Sequence, residues 1–202
     1  MVRQQVESRG IADRRVIAAM LQVPRHLFAP GANLDACYRD RPVGIGHGQT
    51  MSQPYMVALM TELLELRGYE RVLDVGCGSG YQAAILSMLA QEVFAIERVP
   101  PLLHRARRAL AEGGYPVHTA PGDGWRGWQQ YAPFDRILVA AAASEIPRAL
   151  CAQLADNGML VLPVGSGRVQ RLVVVRRLGS RYQSEVGVAC RFVPLVADGR
   201  TP

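Results

Sequence analysis

Residues 71–75 form a short apolar run, RVLDV, that enters a loop with glycine at 76, 78 and 80, and the apolar segment YQAAILSMLA follows at once. A strand that turns through small residues straight into a helix is the opening of a βαβ unit, so the chain is committed to an α/β architecture. The alternation continues downstream. VFAIE reads as a second strand, PLLHRARRALAEGG as a helix ending at Gly113-Gly114, and YPVHTA as a short third strand. After a loop with Trp125 and Trp128 come a fourth strand, FDRILVAAA, a helix from Pro147 to Ala155, and a fifth strand, GMLVLPVG. Right-handed crossovers then make these strands parallel. The last two β runs, VQRLVVVRRL and YQSEVGVACRFVPL, have no helical spacer and are expected to pair as a hairpin through Leu178-Gly179-Ser180. The expected fold is a doubly wound, mostly parallel Rossmann-like sheet of about seven strands with an antiparallel edge.

The segment ahead of this core has a different grammar. Apolar residues recur at helical spacing through Ile11, Val16, Ile17, Met20 and Leu21, and Pro24 follows. Residues 30–50 are rich in Gly, Pro, Asp and Arg and read as a long ordered loop. A helix is expected from Ser52, as its N-cap, to about Leu66, with Pro54 in the first turn where a missing N–H costs little. The reading is one domain over 1–202. Within it, 1–66 is an N-terminal helical and loop segment, and 67–202 is the ligand-binding α/β core.

Composition narrows the function. The chain of 202 residues carries 23 basic and 17 acidic side chains, and every basic one is arginine. The arginines are scattered and form no long run, which weakens a nucleic-acid reading. The cysteines at 37, 77, 151 and 190 form no CxxC pair, and the histidines show no ligand spacing, so no metal is expected. The first residues have no apolar core of the secretory kind, and no apolar run suits a membrane span, so a cytoplasmic location is expected.

Three strand ends carry the chemistry. The glycines of the first loop let the backbone turn tightly and bring its main chain close to a ligand. The spacing is neither GxGxxG nor a P-loop. Glu97, at the end of the second strand, is placed to accept hydrogen bonds from both hydroxyls of a ribose. Asp123, in Gly122-Asp123-Gly124 after the third strand, is placed to accept from an adenine amino group. Asp74, just before the first glycine, would oppose a pyrophosphate but suits a cation such as the sulfonium and ammonium of S-adenosylmethionine. The pattern resembles the first motif of class I S-adenosylmethionine-dependent methyltransferases. NAD is the alternative, disfavoured by charge and spacing.

GIGHGQTMSQPY, residues 44–55, is the most specialised stretch. Together with VPRHLFAP (23–30), VLDVGCGSGYQAAIL (72–86), AIER (95–98), GDG (122–124), APFDRILV (132–139), EIP (145–147), LVLPVG (160–165) and RFVPL (191–195), it resembles the protein-L-isoaspartate O-methyltransferase family over nearly the whole chain. The resemblance implies S-adenosylmethionine as cofactor, and methyl transfer to the α-carboxylate of isoaspartyl residues in damaged proteins. Ser52 would be the catalytic serine, and Thr50, Asp74, Gly76, Gly78, Ser79, Gly80, Glu97, Asp123 and Gly124 the cofactor-binding residues. Ala140 and Ser144 stand where the family commonly has threonine and proline, which bears on efficiency more than on reaction class. A methyltransferase of another carboxylate or small molecule is the alternative. Isoaspartyl proteins and peptides are the expected partners, with no nucleic acid and no membrane, and the chain is expected to act as a monomer. His47, Cys77 and the tryptophans read as exposed, packed and sheet-covering, respectively, rather than catalytic.

Overall fold

The computed structural model describes residues 1–29, 31–167 and 169–197. In chain order the named elements are α1 (Val2–Gln5), α2 (Arg14–Gln22), α3 (Leu34–Cys37), β1 (Val43–Gly46), β2 (Gln49–Met51), α4 (Pro54–Glu62), β3 (Arg71–Val75) and α5 (Tyr81–Ser87). They continue with β4 (Glu92–Glu97), α6 (Pro100–Glu112), β5 (His118–Pro121), β6 (Phe134–Val139), α7 (Arg148–Ala152), β7 (Leu154–Val164), β8 (Gln170–Leu178) and β9 (Arg181–Cys190).

Seven strands form one sheet in the order β5-β4-β3-β6-β7-β8-β9. The first five are parallel, with β3 between β4 and β6. β8 runs antiparallel to β7, and β9 to β8, closing at Gly179-Ser180 as expected. The antiparallel feature is therefore a two-strand ribbon, and β9 itself again runs along the parallel direction.

Alternate side chains along each strand feed two cores, as the pleat requires. Val72, Val93, Ala95, Leu138 and Val161 join the core under α2, α4, α5 and α6. Leu73, Val75, Phe94, Ile96, Ile137 and Val139 join a second one under α7, where Trp125 and Trp128 pack. Trp128 meets Phe94 edge-on at 5.8 Å, so both tryptophans cover the sheet.

The N-terminal segment departs from its sequence reading in three places. Residues 43–51 are no loop but the β1–β2 hairpin, turned at Gly46-His47-Gly48 with all three residues at positive φ. The helix after it is shorter than expected, because Glu65 at φ 50° turns the chain while Leu64 and Leu66 stay buried. Nor is Ser52 its N-cap. That position is Gln53, whose side chain makes no capping bond, and Asp40 supplies the cap from a distance by accepting the Tyr55 amide at 3.0 Å.

Among the described residues no helix is long and apolar enough to cross a membrane. No group of three or more His, Cys, Asp or Glu side chains among them could hold a metal ion.

Candidate active site

The carboxyl ends of β3, β4 and β6 meet where the strand order reverses, the place where open α/β sheets bind ligands. A cavity of about 350 Å³ opens there. Its floor is the glycine loop, Gly76 to Ser79, and Glu97, Gly122 and Gly124 add the adjoining strand ends. Thr50 and Ser52 form its front, and Val193 to Val196 its far wall.

The loop is set by its backbone. The amides of Gly76 and Cys77 both donate to the Ile96 carbonyl, at 2.9 and 3.1 Å, and Gly76 and Gly78 take φ of 77° and 53°. Side chains rarely adopt those values, so glycine there leaves bare main chain facing the cavity. Glu97, buried at the end of β4, accepts the Gly78 amide at 2.9 Å and the Val99 amide at 2.8 Å. The Ser79 hydroxyl accepts the Tyr81 amide at 3.3 Å.

Asp74 lies beneath this loop with 0% exposure, and neither carboxylate oxygen finds a hydrogen-bond partner. Burial first, and the neighbouring Glu97 second, push its pKa from 3.8 to about 8. A buried carboxylate so placed is short of positive charge. Cys77 is buried as well, and burial pushes its thiol well up, away from nucleophilic use.

Thr50 is exposed on β2, and Ser52 follows that strand half-buried. No described residue takes up the Ser52 hydroxyl, whereas its carbonyl accepts Nη2 of Arg25 at 2.5 Å. A second hollow of about 820 Å³ shares Thr50, Ser52, Ala140, Val193 and Pro194 with the first. Arg9, Tyr55 and Cys190 to Phe192 are among the residues that line the rest, and no carboxylate does among the described residues. The first hollow thus adjoins the second, with Ser52 lining both. His47 is exposed at the hairpin tip and lines neither.

The structure therefore brings Thr50, Ser52, Gly76, Gly78, Ser79, Glu97 and Gly124 together around one cavity. It leaves three of the sequence-derived residues behind the lining. Asp74 is under the loop, Gly80 packs against Ala106 and Leu110 of α6, and Asp123 is turned back on its own loop. Asp123 Oδ1 accepts the Trp125 amide at 2.9 Å, and Arg126 stands 3.8 Å from Oδ2.

The far wall is what sequence reasoning missed. Residues 193–195 are tied to the end of the sheet by Ala142 N–H to Val193 O at 2.8 Å and Leu195 N–H to Ala142 O at 2.7 Å. Trp125 Nε1 donates to Leu195 O at 2.8 Å. RFVPL carries no periodicity that assigns it such a place. Tyr81, at the head of α5, also lines the cavity, and as the first helical residue after the glycine loop it was open to discovery.

Known proteins resemble the chain throughout its length. The family described as protein-L-isoaspartate(D-aspartate) O-methyltransferase (PCMT) matches residues 1–200. A protein-L-isoaspartate O-methyltransferase of Geobacter metallireducens is 52% identical over 199 residues, covering 97% of this chain and 92% of that one. A second, of Marinobacter nauticus, is 51% identical and covers 100% and 94%. Among solved structures, a Plasmodium falciparum protein-L-isoaspartate O-methyltransferase in complex with S-adenosyl-L-homocysteine superposes with a TM-score of 0.84. It is 27% identical and covers 96% of both chains.

Proposed function

The chain belongs to the protein-L-isoaspartate(D-aspartate) O-methyltransferase family, and on that premise we propose how its residues divide the work of the reaction. It is a protein repair methyltransferase that moves a methyl group from S-adenosylmethionine to the α-carboxylate of L-isoaspartyl residues in damaged proteins.

The residues present suit such a cofactor. Buried carboxylate oxygens without a partner at Asp74 call for positive charge, and the bare main chain at Gly76 and Gly78 gives close approach. When bound, S-adenosylmethionine supplies an electrophilic methyl group on a cationic sulfur. Glu97 would receive the ribose hydroxyls. Gly76, Gly78 and Ser79 would form the floor under the cofactor with Gly80 supporting the loop from behind, and Asp123 and Gly124 would hold the adenine end. Thr50 holds the rim.

Ser52 donates its hydroxyl to the acceptor carboxylate and fixes its direction. The observation that carries this role is its position in the lining of both hollows, with no group among the described residues using its hydroxyl. A carboxylate is ionised at neutral pH, so no general base is needed. Alignment alone is worth roughly 7–11 kcal/mol in favourable cases. In this reading residues 1–66 present the acceptor and 67–202 hold the cofactor.

Among the described residues Arg9, Arg71, Arg108 and Arg176 each stand in an ion pair with a carboxylate, and Arg126 lies beside Asp123. The arginines form no long run, which supports a chain that works without nucleic acid. We read it as a cytoplasmic monomer that needs no membrane surface.

The test compares methyl incorporation into an isoaspartyl peptide and its aspartyl twin. Incorporation confined to the isoaspartyl peptide is expected. Equal labelling of both would make the chain a methyltransferase of carboxylates in general and overturn the repair reading.

A further inference from the structure

Arg25 opens the 3-10 turn Arg25–Phe28 and has 0% exposure, although it carries a full charge. Its Nε donates to the Cys37 carbonyl at 2.8 Å and its Nη2 to the Ser52 carbonyl at 2.5 Å. Nη1 has no acceptor. The guanidinium carbon stands 4.9 Å above the ring of Tyr81, whose own buried hydroxyl has no hydrogen-bond partner. No carboxylate forms an ion pair with Arg25 among the described residues.

A buried cation satisfied by neutral carbonyls is an expensive way to fasten three segments, because its desolvation is not repaid by an opposite charge. Burial accordingly pulls the guanidinium below its ordinary pKa, with Tyr81 and Cys37 opposing that shift. A hydrophobic side chain would fill the space at less cost, so stability alone does not account for arginine here.

Its contacts do. The planar fork reaches the main chain of Ser52 on the acceptor side, and its face rests on Tyr81, which lines the cofactor cavity. Methyl transfer requires the attacking oxygen to lie in line with the bond being broken, and small misplacements are costly in rate. A group that touches both sides can set the distance between them.

We propose that Arg25 is a positioning residue for methyl transfer, clamping the Ser52 backbone against Tyr81 so that the acceptor carboxylate is aligned with the cofactor cavity. The inference rests on the reading of Ser52 as the residue that orients the acceptor. Arg25 lines neither hollow, so its effect passes through Ser52.

The experiment is a cycle of Arg25→Gln, Ser52→Ala and the double variant. It measures kcat and KM on an isoaspartyl peptide, and S-adenosylhomocysteine affinity by calorimetry. Arg25→Gln should lower kcat about 10- to 100-fold while the affinity for S-adenosylhomocysteine stays within about threefold. In the Ser52→Ala background it should cost less than about threefold more, because both act on one element. Arg25→Lys, which cannot hold two carbonyls in a fixed fork, should be intermediate. It carries the test if Arg25→Gln does not fold. An unchanged kcat in Arg25→Lys, the same loss in both backgrounds, or losses of kcat and cofactor affinity in step would overturn the proposal. A Ser52→Ala variant with full turnover would instead overturn the role of Ser52 itself.

Discussion

The Glu97 carboxylate holds the Gly78 amide at 2.9 Å, so the residue we propose as the ribose acceptor also anchors the glycine loop. The two duties are separable by substitution. Glu97→Gln keeps one acceptor oxygen and should weaken S-adenosylhomocysteine binding about tenfold. Glu97→Ala should weaken it roughly 100-fold and also loosen the loop. Calorimetric titration of both variants checks the order, and equal affinities would remove Glu97 from the ribose site.

Asp74 makes the ligand-free protein less stable as pH rises from about 4 to about 8. Its folded pKa of about 8 lies above the unfolded value near 3.8, so between these pH values the folded chain binds the extra proton. The stability linked to that proton is fully present below about pH 4 and is lost as pH rises through 8. Asp74→Asn removes the ionisation. It should raise the melting temperature at pH 8.5 by about 2–8 °C and match the parent near pH 4. Cofactor binding should weaken in the same variant. Thermal melts across this range check the sign, and a constant offset at every pH would refute it.

Ser52→Ala should lower kcat on the isoaspartyl peptide roughly 10- to 100-fold, the worth of one hydrogen bond to a charged group. Because the hydroxyl binds nothing among the described residues, melting temperature should hardly move. Parallel turnover and melting measurements test both halves of this expectation.

Gly124 is fixed by contact rather than by backbone angle. A Cβ there would meet Leu195 Cδ1 at 2.5 Å and Val75 Cγ1 at 2.9 Å. Val75 is buried in the central strand, so the wall at Leu195 must give way. Gly124→Ala should therefore lower cofactor affinity about tenfold or more with a modest loss of melting temperature, and binding unchanged by the methyl group would refute this.

How far the residues announce all this depends on distance along the chain. The β3–loop–α5 unit is legible because its strand pattern, turn chemistry and helix lie within 71–87. The end hairpin is legible for the same reason, since Gly179-Ser180 separates two alternating runs. Asp40 is not. It caps α4 from the far side of the β1–β2 hairpin, and nothing local distinguishes it from a solvated loop acid. Arg25 and the wall at Val193 to Val196 likewise act only through partners distant in sequence. The glycine-rich hairpin itself was hidden because three positive-φ residues mimic an irregular loop.

The cavity has its front at 49–52, its floor at 76–79 and its wall at 193–196, three stretches that are remote in the chain. Each such contact closes a long loop, at a cost in chain entropy that the packing must offset. A chain emerging from synthesis with its glycine loop already folded still lacks the wall that completes the pocket. Methyl transfer is thereby reserved for molecules that have finished folding, so this repair enzyme comes into service only once its own structure is whole.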